Sequence, residues 1–292
     1  MRKLLCALLS AVLLVGCSNA PQPKAQVRID VIPTQMSDKF EEQIKKLGSL
    51  LSQESGLQVE IRIATDYAAV VEAMRFGKTD IAYFGPFTYV VANAQSGAQA
   101  FITQNIKGKP YYYSYAIVPL DSPITELDDK GIATLKGKTI ALGDPASTSS
   151  SQIPQLAVQN AGLDCEKDVK LVFTGAHDAV LKTVAAGKAD IGFVDSAIFE
   201  GSLAKKFPND FAKVRVAWRS MELYQYPWAH RRDLDAGTVK QLQDAFLKIK
   251  DADALEPFGA DGFVVADDAQ YGPVRDAAKA LKIDLKAYKL KP

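Results

Sequence analysis

Along residues 27–84 the spacing of apolar positions switches back and forth between two periods. Val27, Ile29 and Val31 alternate with Arg28 and Asp30, the period of a strand with one buried face, and the run stops at Pro33. From Ser37 the period lengthens: Phe40, Ile44, Leu47, Leu50 and Leu51 share one face of a helix ending near Gly56. Residues 59–63 alternate again, 67–76 form a short amphipathic helix closed by Gly77, and 80–84 form a third strand ending at Gly85-Pro86. This β-α-β-α-β order is that of a doubly wound α/β lobe.

The order then recurs. Strands are expected at 138–142, 169–173 and 190–194, with helices at 149–161 and 177–186 between them. Residues 67–82 and 177–192 align without gaps, so that Gly77-Lys78-Thr79-Asp80-Ile81 lies opposite Gly187-Lys188-Ala189-Asp190-Ile191. At the same offset Tyr67 meets His177, Gly85 meets Asp195, and Ser37 meets Ser147. The tyrosine-rich alternation at 111–118 is suited to cross from one lobe to the other, 214–218 to close the second lobe, and 223–230 to cross back. Helices at 239–249 and 271–281 complete the first lobe. The expected division is 27–117 plus 225–292 for lobe one and 118–224 for lobe two.

Composition agrees with two medium domains: 292 residues, 48% hydrophobic, formal net charge +1. That balance gives no basic footprint for nucleic acid. Arg2-Lys3 followed by the apolar run from Leu4 to Val15 predicts a signal segment at 1–16. Leu14-Val15-Gly16-Cys17 resembles a bacterial lipobox, which makes Cys17 the lipidated first residue of the processed chain and 17–26, with Pro21 and Pro23, a tether. Cys6 leaves with the signal, so Cys165 is the one free thiol, and neither a disulfide nor a cysteine metal site is expected. The location that follows is the periplasmic side of the inner membrane, or the cell surface where there is no outer membrane.

The candidate chemistry centres on residues 143–151, Gly-Asp-Pro-Ala-Ser-Thr-Ser-Ser-Ser, between a strand and a helix. The first N–H groups of a helix lack internal partners and carry partial positive charge, and Ser147, Thr148 and Ser149 add hydroxyl donors. No Gly-Lys-[Ser/Thr] follows, so this is no nucleotide-binding loop. A serine or threonine here also serves as a plain helix cap. The location argues for a site: 34–37, Tyr67, 84–87, 147–149, His177 and Asp195 all follow strands, on the edge where open α/β sheets bind ligands. A Ser147–His177–Asp hydrolase triad lacks the Gly-x-Ser-x-Gly elbow, and three adjacent hydroxyls suit hydrogen bonding better than one activated nucleophile. The expectation is a binding protein, not an enzyme.

At Ser147-Thr148-Ser149, His177-Asp178-Ala179 and Tyr67-Ala68, and through 66–70, 74–78, 80–86 and 144–149, the sequence resembles the phosphonate/phosphite-binding proteins of bacterial ABC importers. The resemblance implies a two-lobed periplasmic-binding-protein fold of the flytrap type (type II), each lobe a doubly wound mixed sheet, with two crossover segments as hinge. It implies a monomer without cofactor or metal that closes on a small phosphorus oxyanion and serves an ABC permease with its ATPase. Ser147, Thr148, Ser149 and His177 match the residues that bind the ligand oxygens, and Tyr67 and Tyr112 match two family tyrosines.

Members that bind an aminoalkylphosphonate hold its amine with two carboxylates. The matching positions are Ala197 and Tyr226, neither of them acidic, which favours phosphite or methylphosphonate. Binding of 2-aminoethylphosphonate or phosphate, or a sensing lipoprotein, are the alternatives. Phe84, with Tyr83 beside it, is expected on the closing face of lobe one. Asp195 repels an anion unless the ligand offers a proton, so it is expected to accept a P–OH hydrogen bond and so exclude sulfate; Asp195 and His177 also stand where helix caps stand. Ser150 replaces a family glycine.

Overall fold

The alternating 27–31 segment becomes the inner strand of a six-stranded sheet in a computed structural model that describes residues 26–290. The signal segment, Cys17 and all but the last residue of the tether lie outside the described residues. The strands are β1 (Gln26–Val31), β2 (Gln58–Ile63), β3 (Ile81–Tyr83), β4 (Gln99–Asn105), β5 (Tyr111–Tyr112), β6 (Ser114–Pro119), β7 (Thr139–Leu142), β8 (Lys170–Phe173), β9 (Ile191–Asp195), β10 (Val214–Arg219), β11 (Leu223–Tyr224), β12 (Pro227–His230) and β13 (Gly262–Val265).

One sheet runs β13-β4-β12-β3-β1-β2 and the other β10-β6-β9-β7-β8. In the first, β1 lies parallel between β2 and β3, and β12 joins β3 antiparallel. In the second, β7 lies parallel between β8 and β9, and β6 joins β9 antiparallel. The internal repeat is therefore a repeat of topology. In each sheet the antiparallel neighbour arrives from a crossover, β6 after β5 and β12 after β11, and β5 and β11 themselves pair as a two-stranded ribbon.

The pattern differs from the structure in four places. The helix Pro86–Ser96 and the strands β4 and β13 carried no periodic signal. Phe87 to Ala92 are buried on every side of that helix, so it has no polar face to set a period. The 111–118 run breaks at Tyr113, whose amide and carbonyl both bond to Ser196, and β6 then pairs with β9 and β10. Residues 114–117 therefore lie in the second sheet, where the pattern had kept them with the first. The Gly272–Ala280 helix packs on Pro86–Ser96, and it also touches the Ile153–Asn160 helix on the other side.

No helix among the described residues is long and apolar enough to cross a membrane. Cys165 is a free, half-buried thiol.

Candidate ligand-binding site

The stretch after β7 folds as a tight turn that consumes most of its own polar groups. Asp144 Oδ1 accepts from Ala146 N (2.7 Å), and Ser147, in extended backbone, accepts from Ser150 N on its hydroxyl (3.3 Å). Residues Thr148–Gln152 make a wide π turn, and the regular helix begins only at Ile153, four residues later than the pattern predicts. Ser150 explains this local shape. Its hydroxyl accepts from Gly143 N (2.6 Å) and donates to Phe193 O (2.7 Å), pinning the turn to β9. The residue that stands where the family has glycine is thus a brace, and a Cβ on Gly143 would come within 2.6 Å of its oxygen.

One hydroxyl of the turn reaches across to the first lobe. Thr148 Oγ1 accepts from Phe87 N, the first-turn amide of the Pro86–Ser96 helix, at 2.8 Å, which leaves the threonine proton free to donate. Ser149 is fully buried and its hydroxyl has no partner. Tyr67 opens the Tyr67–Arg75 helix behind the Asp66 cap, and its amide donates to Asp144 Oδ2 (3.4 Å) on the opposite side.

His177 opens the helix after β8. Asp195 N donates to His177 Nδ1 (3.3 Å), which fixes the imidazole proton on Nε2, and Nε2 faces Tyr226 Oη at 3.4 Å. Burial pushes this imidazole down to about 4, so it is a neutral donor at ordinary pH. Asp195 Oδ1 does cap a short helix, accepting from Ala197 N (2.7 Å) and Ile198 N (2.9 Å). Burial nevertheless raises its carboxyl to about 7, against those amides and the nearby Tyr226 hydroxyl.

Three tyrosines line the wall. Tyr112 meets the Tyr226 ring edge-on at 5.3 Å, and Tyr83 stacks on Tyr226 at 5.5 Å. Burial, then the charge of Asp195, holds all three phenols well above their usual range, so they remain protonated donors. The hydroxyls of Ser149 and Thr148 lie close enough to Tyr112 to ease its ionisation, yet Tyr112 Oη has no hydrogen-bond partner.

The structure thus gathers Tyr67, Tyr112, Ser147, Thr148, Ser149, His177, Asp195 and Tyr226 at one buried seam between the sheets. Phe84 is fully buried, its amide bonded to Pro227 O, and brings only packing. The polar member of that aromatic pair is Tyr83, whose hydroxyl accepts from Gln104 Nε2 (3.0 Å). Ala197 is half-buried and contributes its amide to the Asp195 cap.

No lysine or arginine takes part in the contacts above. The favourable field comes from helices: Tyr67–Arg75, Pro86–Ser96 and His177–Ala185 all begin at the seam, and the π turn adds a fourth start. Neutral donors and helix starts suit a small dehydrated anion. No group of residues suited to hold a metal is found among the described residues. A groove of about 740 Å³ on the first lobe, lined by Met36, Phe40, Glu41 and Lys45 among others, shows no such convergence of donors.

Further contacts join the two sides at the rim of the seam. His177 N donates to Thr34 O (3.3 Å), Met36 N to Asp178 Oδ1 (3.3 Å), and Ser202 Oγ to Gln35 Oε1 (2.7 Å). Lys206 reaches Gln35, Gln43 and Glu256 at 3.2–3.5 Å. The sequence held no signal for these pairs, because their partners lie at least 50 residues apart (256 − 206 for Lys206 and Glu256).

Comparison with known proteins points the same way. The profile of the family described as "ABC transporter, phosphonate, periplasmic substrate-binding protein" matches residues 29–271. The phosphate-import protein PhnD of Mycolicibacterium smegmatis is 27% identical over 290 residues, covering 91% of this chain and 89% of that protein. The phosphonates-binding periplasmic protein of Escherichia coli is 27% identical over 270 residues, covering 91% and 79%. A structure of a Prochlorococcus marinus PhnD protein in complex with methylphosphonate superposes with TM-score 0.80 at 24% identity, covering 89% of this chain and 99% of that one.

Proposed function

Because the chain belongs to the periplasmic substrate-binding proteins of phosphonate ABC transporters, we propose that it captures phosphite or methylphosphonate and delivers it to its permease. The family is one of solute-binding proteins, not enzymes. The observation that carries the reading is the pair of buried, unpartnered hydroxyls at Tyr112 and Ser149. Buried polar atoms are nearly always bonded, and leaving one unmade costs about 1–3 kcal/mol. Here two such groups face one seam, among further donors on Tyr67, Thr148, Ser147 and His177, and an oxyanion satisfies them together.

Asp195 supports a ligand that carries a proton. A carboxyl raised to about 7 by burial and an oxyanion with a near-neutral second ionisation share one proton between two oxygens. Sulfate has no proton to share. Ala197 and Tyr226 support a ligand without an amine, since neither position supplies the carboxylate an amine would need, and the buried Asp144 spends its oxygens on the amides of Ala146 and Tyr67. The lobes are read as 26–113 with 225–290, and 114–224, turning about β5 and β11, with closure favoured by the cross-seam bonds the ligand brings into register. Lipid attachment at Cys17 and a monomeric state complete the reading.

Calorimetric titration of the soluble protein started after Cys17 tests it, with phosphite, methylphosphonate, phosphate, sulfate and 2-aminoethylphosphonate. Tight binding confined to phosphite or methylphosphonate is the expected result. Equal or tighter binding of 2-aminoethylphosphonate overturns the role given to Ala197 and Tyr226. Phosphate as the tightest ligand overturns the ligand assignment while keeping the oxyanion site. If Asp195→Asn neither loses affinity nor gains sulfate binding, the shared proton is wrong.

A further inference from the structure

Beneath the site, a chain of hydrogen bonds runs from the exposed Tyr111 to the buried Gln225, Gln104 and Tyr83, and its direction can be read from one end. It starts at the backbone carbonyl of Tyr111 in the hinge strand β5, which can only accept. Gln225 Nε2 donates to it (3.3 Å), so the amide of Gln225 is oriented with Oε1 pointing away. That oxygen accepts from Gln104 Nε2 (2.9 Å). The amide of Gln104 is therefore oriented too, and its Nε2 makes a second bond, to Tyr83 Oη (3.0 Å). Gln104 and Gln225 are fully buried, so no solvent exchange disturbs the order.

The arrangement leaves Gln104 Oε1 without a partner. Flipping that amide would not help. It would set Gln104 Oε1 against Gln225 Oε1, two acceptors face to face. The chain thus accepts one unsatisfied oxygen in exchange for a fixed polarity at its far end, where Tyr83 is an acceptor from Gln104. Among the described residues that is the one hydrogen bond of the Tyr83 hydroxyl, and its own proton is uncommitted. The ring lies along Tyr226, whose hydroxyl faces His177 Nε2, and the charges of Asp195, Tyr67 and Tyr112 bear on its ionisation.

Resting on the oxyanion reading above, we propose that Tyr83 is a further ligand-binding residue, an obligate hydrogen-bond donor to an unprotonated ligand oxygen, with Gln104 and Gln225 as its positioning residues. Tyr83 and Asp195 then sort the two kinds of ligand oxygen: Asp195 takes the one that carries a proton and Tyr83 takes one that does not. The chain also ties the orientation of a specificity donor to the hinge backbone, so that lobe rotation at β5 is felt at the ligand.

The test is calorimetry on wild type, Tyr83→Phe, Gln104→Glu and the double variant, with whichever of phosphite, methylphosphonate and phosphate wild type binds most tightly. Tyr83→Phe keeps the ring and removes the donor, and the expected loss is about tenfold to a hundredfold in affinity. The unliganded melting temperature is expected to fall as well, because Gln104 Nε2 loses an acceptor, so affinity is read at a temperature where every variant is fully folded. Gln104→Glu, ionised or not, presents an acceptor oxygen to Tyr83 and draws its proton away from the ligand. It is expected to weaken binding like Tyr83→Phe and to add almost nothing in the double variant, a non-additivity that general destabilisation would not produce. Tyr83→Phe binding within about twofold of wild type overturns the proposal, since one charge-assisted bond is worth more than that. Equal losses from Gln104→Glu with and without the Tyr83 hydroxyl overturn the positioning role. If wild type binds none of the three anions, the oxyanion reading fails and this inference with it; if wild type binds and Tyr83→Phe is unaffected, only this inference fails.

Discussion

Replacing Tyr112 by phenylalanine removes a single oxygen from a fully buried ring that keeps its edge-on contact with Tyr226 at 5.3 Å. In the unliganded protein that oxygen has no hydrogen-bond partner, so its loss breaks no bond and relieves a desolvated polar group. Unliganded stability is expected to stay level or rise. With an oxyanion bound, the same oxygen donates to a charged acceptor, a bond contributing roughly 1.5–3 kcal/mol. At about 1.4 kcal/mol per tenfold, the dissociation constant is expected to rise about 10- to 150-fold. The two effects have opposite signs, which separates a binding hydroxyl from a structural one. Thermal unfolding without ligand reads the first, and calorimetric titration with phosphite or methylphosphonate reads the second. A variant that binds like wild type but melts lower would refute the reasoning, because the hydroxyl would then serve the fold.

Other expectations follow from the same geometry. Gly143→Ala drives a Cβ to within 2.6 Å of the Ser150 oxygen, and overpacking of this kind costs about 1–3 kcal/mol, read by urea unfolding; Ser150→Gly in the same chain is expected to remove the clash without recovering the brace to Phe193, so that its cost in the Gly143→Ala background is smaller than in wild type. Lys206→Met leaves Glu256 and two glutamines at the seam without their cation, and is expected to weaken ligand binding about fivefold or more, mainly through faster release measured by stopped flow. The pH dependence of Asp195→Asn is the fourth. His177, depressed to about 4 by burial, stays neutral in the native protein while the unfolded chain takes up its proton, so its contribution is lost as pH falls from about 6.5 toward 4. Asp195, raised to about 7, holds its proton in the native protein, so its contribution is present at acidic pH and is lost as pH rises from 3.8 toward 7. The two slopes oppose in wild type. Without the aspartate, stability is expected to rise with pH between about 4 and 6.5, by up to about 3 kcal/mol relative to wild type; parallel profiles from chemical denaturation would contradict it.

Much of the fold and part of the site are legible in the chain itself. The 67–82 and 177–192 repeat announces two like lobes because each repeat must bury its own alternating strands and amphipathic helix, and those periods are local. The Ser147–Ser149 run, Tyr67 and His177 are visible for a related reason: each opens a helix after a strand, so strand-end logic places them on one edge. The helix Pro86–Ser96 was hidden because burial on all sides removes the contrast that makes a period. Tyr83 and Phe84 were legible only as an aromatic pair, because composition does not say which of two adjacent buried residues finds a hydrogen-bond partner.

What only the tertiary structure decided is how polar atoms are shared. Ser150 as a brace between Gly143 and Phe193, the tautomer of His177 set by the amide of Asp195, and the polarity of Tyr83 set by Tyr111 through Gln225 and Gln104 all join residues far apart in sequence. Hydrophobic periodicity reports which face of an element is buried, whereas a hydrogen bond depends on where a single donor and a single acceptor meet. The first is a property of a segment and survives in the sequence; the second exists only once distant segments have been brought together.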